Sequence, residues 1–140
     1  MIKQFKNEYL EKIMEIWLIT NIEAHNFIEK SYWLSNYDNV KKMIVESTIF
    51  VYEQNNEIIA FIGMNSNFIE GIFVMKKYQS LGIGKKLLDY VKDINTDLFL
   101  NVYNKNKRAI TFYLRENFTI ESENLDKNTG LTEYLMKWSK

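Results

Sequence analysis

Gln79-Ser80-Leu81-Gly82-Ile83-Gly84 is the stretch whose residue types and spacing point most directly to chemistry. It follows an apolar run, Gly71-Ile72-Phe73-Val74-Met75, that reads as a strand. It precedes Lys85-Lys86-Leu87-Leu88-Asp89-Tyr90-Val91, whose apolar positions recur at helical spacing. Two of the five glycines in the chain fall in this window. A strand, a glycine turn and a helix N-terminus together make an anion site. Glycine lets the backbone turn sharply and come close to a ligand. The first N–H groups of the helix have no internal partner and point outward. A nucleoside-triphosphate loop would need Gly at 79 and Ser or Thr at 86. Gln79 and Lys86 stand there, so no hydroxyl is placed to hold magnesium. A dinucleotide fingerprint would need Gly at 87, where the chain has Leu87. Gln-x-x-Gly-x-Gly remains. Alone, it reads equally as a phosphate cradle or as an ordinary glycine-capped turn.

Composition narrows the chemistry further. The chain has no cysteine and one histidine, His25. That excludes disulfides, thiolate metal sites, a cysteinyl acyl-enzyme and histidine-cluster metal sites. Formal net charge is zero, so no electrostatic footprint for nucleic acid is present. The short clusters Lys76-Lys77 and Lys105 to Arg108 read as solvated surface, with those nearest the glycine loop able to attract an anion. No apolar run approaches the ~18 residues of a membrane span, and no signal-type segment opens the chain. A soluble cytoplasmic protein with no membrane partner is the expectation. With 140 residues, 46% of them hydrophobic, a single domain over 1–140 with a sizeable core is expected.

A second segment, Leu98 to Phe118, carries a strand and then Asn106, Ala109, Phe112, Tyr113 and Phe118 at fixed spacing. Near the front stand Ile16-Trp17-Leu18, Ala24-His25-Asn26-Phe27-Ile28 and Tyr32-Trp33. In this order the three segments resemble the GCN5-related N-acetyltransferases. The front segment is similar to a bacterial subgroup of small members with an Ala-His-x-Phe-Ile signature. The resemblance covers nearly the whole chain and implies acetyl-CoA as cosubstrate. It implies that backbone groups of Ile72, Phe73 and Val74 pair with the pantetheine arm. N–H groups of Leu81, Gly82, Ile83, Gly84 and Lys85 would hold the pyrophosphate. Gln79 would make a contact at the loop entrance, and Asn106 joins the coenzyme side.

The implied reaction is direct attack of a primary amine on the thioester. A backbone N–H at Phe73 or Val74 would stabilise the oxyanion. Tyr113 matches the family's general acid; a phenol of pKa about 10 can protonate a thiolate whose acid has pKa about 8.5. The base is open. His25 stands where the family builds its acceptor pocket and reads equally as base or as structural histidine. Glu70 and Glu23 are further candidates, each also readable as a surface carboxylate. Phe27, Tyr32, Trp33, Phe68 and Tyr103 could line an apolar acceptor pocket, and most of them read equally as core; Phe27 and Phe68 are the ones expected on the acceptor side, with Phe68 beside the acetyl group. The family often has an acid where this chain has Asn101. The acceptor is a small amine, a peptide N-terminus or a protein lysine, and the protein is a monomer or homodimer. The competing reading is an acyl-CoA-binding or sensing module of the same fold without efficient turnover.

These residues need a scaffold, and the pattern supplies one. A short strand is expected at 2–6, a helix at about 8–23, and a second helical region to about 47, broken near Ser35-Asn36. Runs at 48–54 and 57–65 read as a hairpin around Asn55-Asn56. A strand at about 68–77 enters the glycine loop, followed by a helix to about 94. A buried strand at 98–103, a helix at about 106–116 and a closing hairpin around Asn128-Thr129-Gly130 complete the chain. The order is β-α-α-β-β-β-α-β-α-β-β. It describes a mixed-sheet α/β fold, the acyl-CoA N-acyltransferase type that the resemblance implies.

Overall fold

The computed structural model describes residues 1–140. Its strands are β1 (Ile2–Gln4), β2 (Thr48–Gln54), β3 (Glu57–Asn65), β4 (Phe68–Val74), β5 (Asp97–Tyr103), β6 (Thr119–Asp126) and β7 (Leu131–Ser139). Its helices are α1 (Leu10–Ala24), α2 (Lys30–Glu46), α3 (Ile83–Asp93) and α4 (Lys107–Arg115). The strands form one seven-stranded sheet in the order β1-β2-β3-β4-β5-β7-β6. All neighbours are antiparallel except β4 and β5. The element order is the one the sequence predicts.

Helices cover both faces. One apolar layer joins the sheet to α3 and α4, with Leu87, Leu88, Ile110 and Phe118 among its buried residues. The other joins it to α1 and α2 through Ile13, Ile16, Trp17 and Ile44. Strand β3 lies between the layers, and Ile58 through Met64 are therefore all buried. That explains its near-continuous apolar run, because a strand covered on both faces has no polar side. The β2–β3 turn is made by Asn55 and Asn56, both at positive φ (53° and 62°). This is the geometry that matches the right-handed twist of a hairpin.

Two expectations differ from the structure. Helix α2 runs unbroken from Lys30 to Glu46. Ser35 Oγ and Asn36 Nδ2 both donate to the Tyr32 carbonyl, at 2.9 and 2.7 Å. These side chains bond back to the helix instead of leaving it. Strand β4 ends at Val74 rather than near 77, because Lys76–Tyr78 form a 3-10 turn. That turn redirects the chain toward the glycine loop.

The feature that matters for function lies on β4. Gly63 pairs with Gly71, and Met64 then pairs with Ile69, so Glu70 is an extra, unpaired residue: a β-bulge. On the other edge, β4 meets β5 only at Phe68↔Phe99 and Ile69↔Leu100. Beyond the bulge the two parallel strands part. The edge of β4 from Gly71 to Val74 is left without a neighbouring strand.

Candidate active site

The gap between β4 and β5 opens into a cavity of about 770 Å³. The backbone direction of its β4 wall follows from the ladder. Met75 N–H donates to the Ile59 carbonyl of β3 at 3.0 Å. Alternation along a strand sends the Phe73 N–H the same way, toward β3, and turns the N–H and C=O of Ile72 and Val74 into the gap. Phe73 therefore contributes its ring to the α1–α2 layer, stacked on Phe61 at 4.7 Å. Of the two backbone donors expected to face the reacting carbonyl, Val74 faces the gap and Phe73 does not.

The glycine loop stands at the end of this wall. Gly82 is the N-cap of α3 at φ 84°, a left-handed conformation that disfavours any Cβ. Ser80 is also left-handed, at φ 65°. No side chain caps α3. The N–H groups of Ile83, Gly84 and Lys85 are thus free for an anion, reinforced by the helix dipole. A Cβ on Gly84 would come within 3.8–3.9 Å of Phe112, Ile72 and Val74. It would project into the space between the β4 edge and α4 that an extended ligand arm would need. Leu81 caps the loop with its side chain in solvent, outside the cavity lining.

Side chains brace the loop. Gln79 Nε2 donates to the Val74 carbonyl at 2.8 Å. Gln79 Oε1 accepts from Arg108 at 2.6 Å, and Arg108 also donates to Ser80 Oγ at 3.1 Å. The loop is tied to β4 on one side and to α4 on the other. Arg108 lines the cavity and brings a positive charge against the loop. The charge on Lys85, which also lines the cavity, is paired with Glu116 at 2.9 Å and Asp89 at 3.2 Å.

Tyr113 reaches the cavity from α4. Ile110 and Tyr113 are one helical turn apart and are the buried residues of α4. The Tyr113 ring packs edge-on against Phe112 and Phe118, at 5.2 and 5.4 Å. Its hydroxyl makes no hydrogen bond within the protein and is open to the cavity. Burial pushes the phenol well above its ordinary pKa, so it stays protonated at any physiological pH.

His25, the residue after α1, also lines the cavity. Its Nδ1–H donates to the Asn21 carbonyl at 3.0 Å, which leaves Nε2 as acceptor, 3.4 Å from Asn106 Nδ2. Asn106 Oδ1 caps α4 by accepting from the Ala109 N–H at 3.3 Å. The imidazole stacks on Trp33 at 5.1 Å and meets Tyr103 and Phe27 edge-on. Phe27 stands behind this group, outside the cavity lining, whereas Phe68 is part of it.

Burial lowers the His25 pKa, outweighing the opposing hydrogen bond to Asn21. The unfolded chain therefore binds this proton more readily, and stability falls as pH drops below about 6.5, levelling off beneath the folded pKa. Glu70 and Glu133, both raised by burial, work in the opposite sense at lower pH. A His25→Gln variant is expected to lose the part of the Tm-versus-pH slope between about pH 7 and 5.5 that His25 causes. An unchanged slope in urea or thermal unfolding would contradict this.

The remaining candidates separate by position. Glu70 stands on the bulge and lines the cavity, half-buried, with its pKa raised by burial. Glu23 is not part of the lining. Asn101 and Tyr103 line it from β5. Tyr103 donates to Asp126 Oδ2 at 2.5 Å, tying β5 to the β6–β7 turn. Glu133 on β7, opposite Tyr103, adds a second cavity carboxylate, raised by burial and by the charge of Asp126. Sequence reasoning named Arg108 only as the end of a basic cluster and did not single out Glu133, which lies in no motif and is brought to the cleft by the sheet order.

With this geometry in hand, the comparisons with known proteins are specific. Residues 10–118 match the model of the acetyltransferase (GNAT) family. The chain is 31% identical over 140 residues to the peptidyl-lysine N-acetyltransferase YiaC of Escherichia coli (strain K12), covering 99% of this chain and 96% of the relative. Its fold superimposes on apo YjaB from Escherichia coli with a TM-score of 0.87 at 18% identity, over 99% of this chain and 96% of the other. It superimposes on yncA of Salmonella typhimurium, solved with its cofactor acetyl-CoA, with a TM-score of 0.68 at 15% identity, over 99% and 92%. Strand splay, glycine loop and family match coincide on the same residues, and the chain belongs to the acetyltransferase (GNAT) family.

Proposed function

We propose that the protein moves an acetyl group from acetyl-CoA to the side-chain amine of a lysine in a peptide or protein, acting in the cytoplasm as a single domain. One observation carries the reading. The unpaired edge of β4 leads from the anion-binding start of α3 to the cavity where the Tyr113 hydroxyl is free. The acceptor class is the one named for the Escherichia coli relative. The residues fit the coenzyme. The Ile72 and Val74 backbone groups offer pairing to a pantetheine arm, Gly84 leaves room for it, and the first turn of α3 with Arg108 suits the pyrophosphate. Acetyl-CoA would supply an acyl thioester. The chain supplies positions and protons.

The Ile72 N–H, turned into the gap at the end nearest Glu70, is the donor for the oxygen that gains charge as the amine adds. Tyr113 holds the proton that the departing sulfur needs. A lysine amine is mostly protonated near neutrality, so it must lose a proton before attack. Glu70 is the group we assign to take it. Burial raises its basicity, and it lines the cavity at the point where β4 and β5 separate. His25 is then a positioning residue. Both its ring nitrogens face partners, and through Asn106 it links the end of α1 to the start of the Tyr113 helix.

The test is thiol release from acetyl-CoA with a lysine-containing peptide and with the same peptide blocked at lysine. Release with the first and not the second is expected. Acetyl-CoA at one hundred times Kd should also stabilise the fold by about 2.7 kcal/mol, a Tm shift of roughly 5–15 °C. A Tm shift without thiol release from any amine would leave a coenzyme-binding module. That competing reading draws on the uncharged Asn101 in the cavity wall. No Tm shift would remove both readings.

A further inference from the structure

A second, smaller cavity of about 120 Å³ lies on the α1–α2 face of the sheet. Val40, Ile44, Ile49 and Phe61 supply apolar walls, and the α2 end beside it is exposed at Met43. Three further residues, Trp17, Glu70 and Phe73, line this cavity and the main one together. Phe73 stands where the two linings meet. It lies across Gly71, where an added Cβ would sit 2.4 Å from its Cζ. Gly63 holds the far side open, since a Cβ there would come 3.3 Å from Ile49 Cδ1. Two missing side chains on facing positions of β3 and β4 thus leave space beside the bulge.

We propose that this cavity is an acyl-tail site, and that the protein transfers short-chain acyl groups longer than acetyl as well as acetyl itself. The inference rests on the coenzyme orientation given under Proposed function. Phosphates held at the start of α3 lie beyond the Val74 end of β4. An arm paired along the strand edge then runs back toward Gly71, and its acyl end arrives at Glu70 and Phe73. Those are the residues at which the second cavity begins. The walls suit methylene groups. Apart from Glu70 the lining holds no ionisable side chain, and its volume matches about four groups the size of a water molecule. A butyryl group extends acetyl by two carbons, within that room. The chemistry is unchanged. The lysine nitrogen forms a bond to the acyl carbon, the carbon–sulfur bond breaks, the sulfur leaves as thiol, and the amine gives up one proton.

The experiment compares acetyl-CoA and butyryl-CoA by thiol release with one lysine peptide, in the parent protein and in Val40→Phe and Val40→Ala. Val40 is part-buried on α2 and touches neither the loop nor Tyr113 in the cavity lining. In the parent, butyryl-CoA kcat/KM should lie within about tenfold of acetyl-CoA. Val40→Phe should depress the butyryl-to-acetyl ratio by about tenfold or more, the scale of lost methylene pockets. Val40→Ala should raise it, and serves alone if the larger residue does not fold. Butyryl turnover below about one hundredth of acetyl would overturn the proposal, because it exceeds what one or two unaccommodated methylenes account for. A ratio unmoved by both variants would overturn it too, as would a change confined to the peptide KM, which would assign the cavity to the acceptor. Failure of acetyl-CoA itself to turn over would instead count against the function proposed above.

Discussion

Tyr113→Phe is expected to lower kcat by about 10²–10⁴ while leaving acetyl-CoA affinity within about threefold, the range for loss of a positioned general acid. The substitution removes one oxygen and keeps the ring, so the edge-on contacts with Phe112 and Phe118 persist. Stability should hold as well, because the hydroxyl has no partner inside the protein to lose. The loss should be larger for acetyl-CoA than for an activated thioester whose thiolate leaves without a proton. Single-turnover kinetics with both donors read this directly. A kcat within about threefold of the parent, far short of a lost general acid, would return Tyr113 to the core.

Glu70→Gln is expected to have an effect of similar size, about 10²–10³ in kcat/KM at neutral pH with a lysine peptide. The amide keeps the volume on the bulge but cannot accept the ammonium proton. The raised pKa of Glu70 fixes the direction of the pH response. Activity of the parent should fall as pH drops through that raised value, as the carboxylate is protonated. In Glu70→Gln that acidic limb should disappear, and activity should rise with pH as free amine accumulates. An α-amine acceptor, with pKa near 7.7–8.0, should be much less sensitive to the substitution. Equal losses for lysine and α-amine acceptors would argue that Glu70 shapes the bulge without moving a proton.

The sequence made the scaffold legible where local chemistry is decisive. Asn55 and Asn56 are residues that tolerate the positive φ a tight hairpin turn requires, so the hairpin was readable. Gly82 stands at a left-handed helix start, which is why the glycine loop stood out. The apolar positions of α3 and α4 repeat at helical spacing because each helix covers one layer only. The second helix was harder. Ser35 and Asn36 have breaker chemistry, and only the chain's continuation decided that they would bond back to Tyr32. Glu70 was equally ambiguous: a lone acid before a strand looks like surface. Its place depends on a one-residue offset between β3 and β4, which leaves no mark in residue type.

By itself, then, the order of residues determined the element order and the glycine loop at a helix start, because each rests on backbone conformation or on spacing within one element, whereas Tyr113 became the acid candidate through the family resemblance of its segment. Tertiary structure alone decided what surrounds the reacting centre. The bulge parts β4 from β5, alternation turns Val74 and not Phe73 into the gap, and β7 beside β5 brings Glu133 into the wall. Arg108 reaches Gln79 across 29 positions, and His25 meets Asn106 across 81. Such contacts are set by how strands are ordered in the sheet and how helices lie on it. That is why a periodic pattern can predict a helix but cannot say which distant side chain its end will meet.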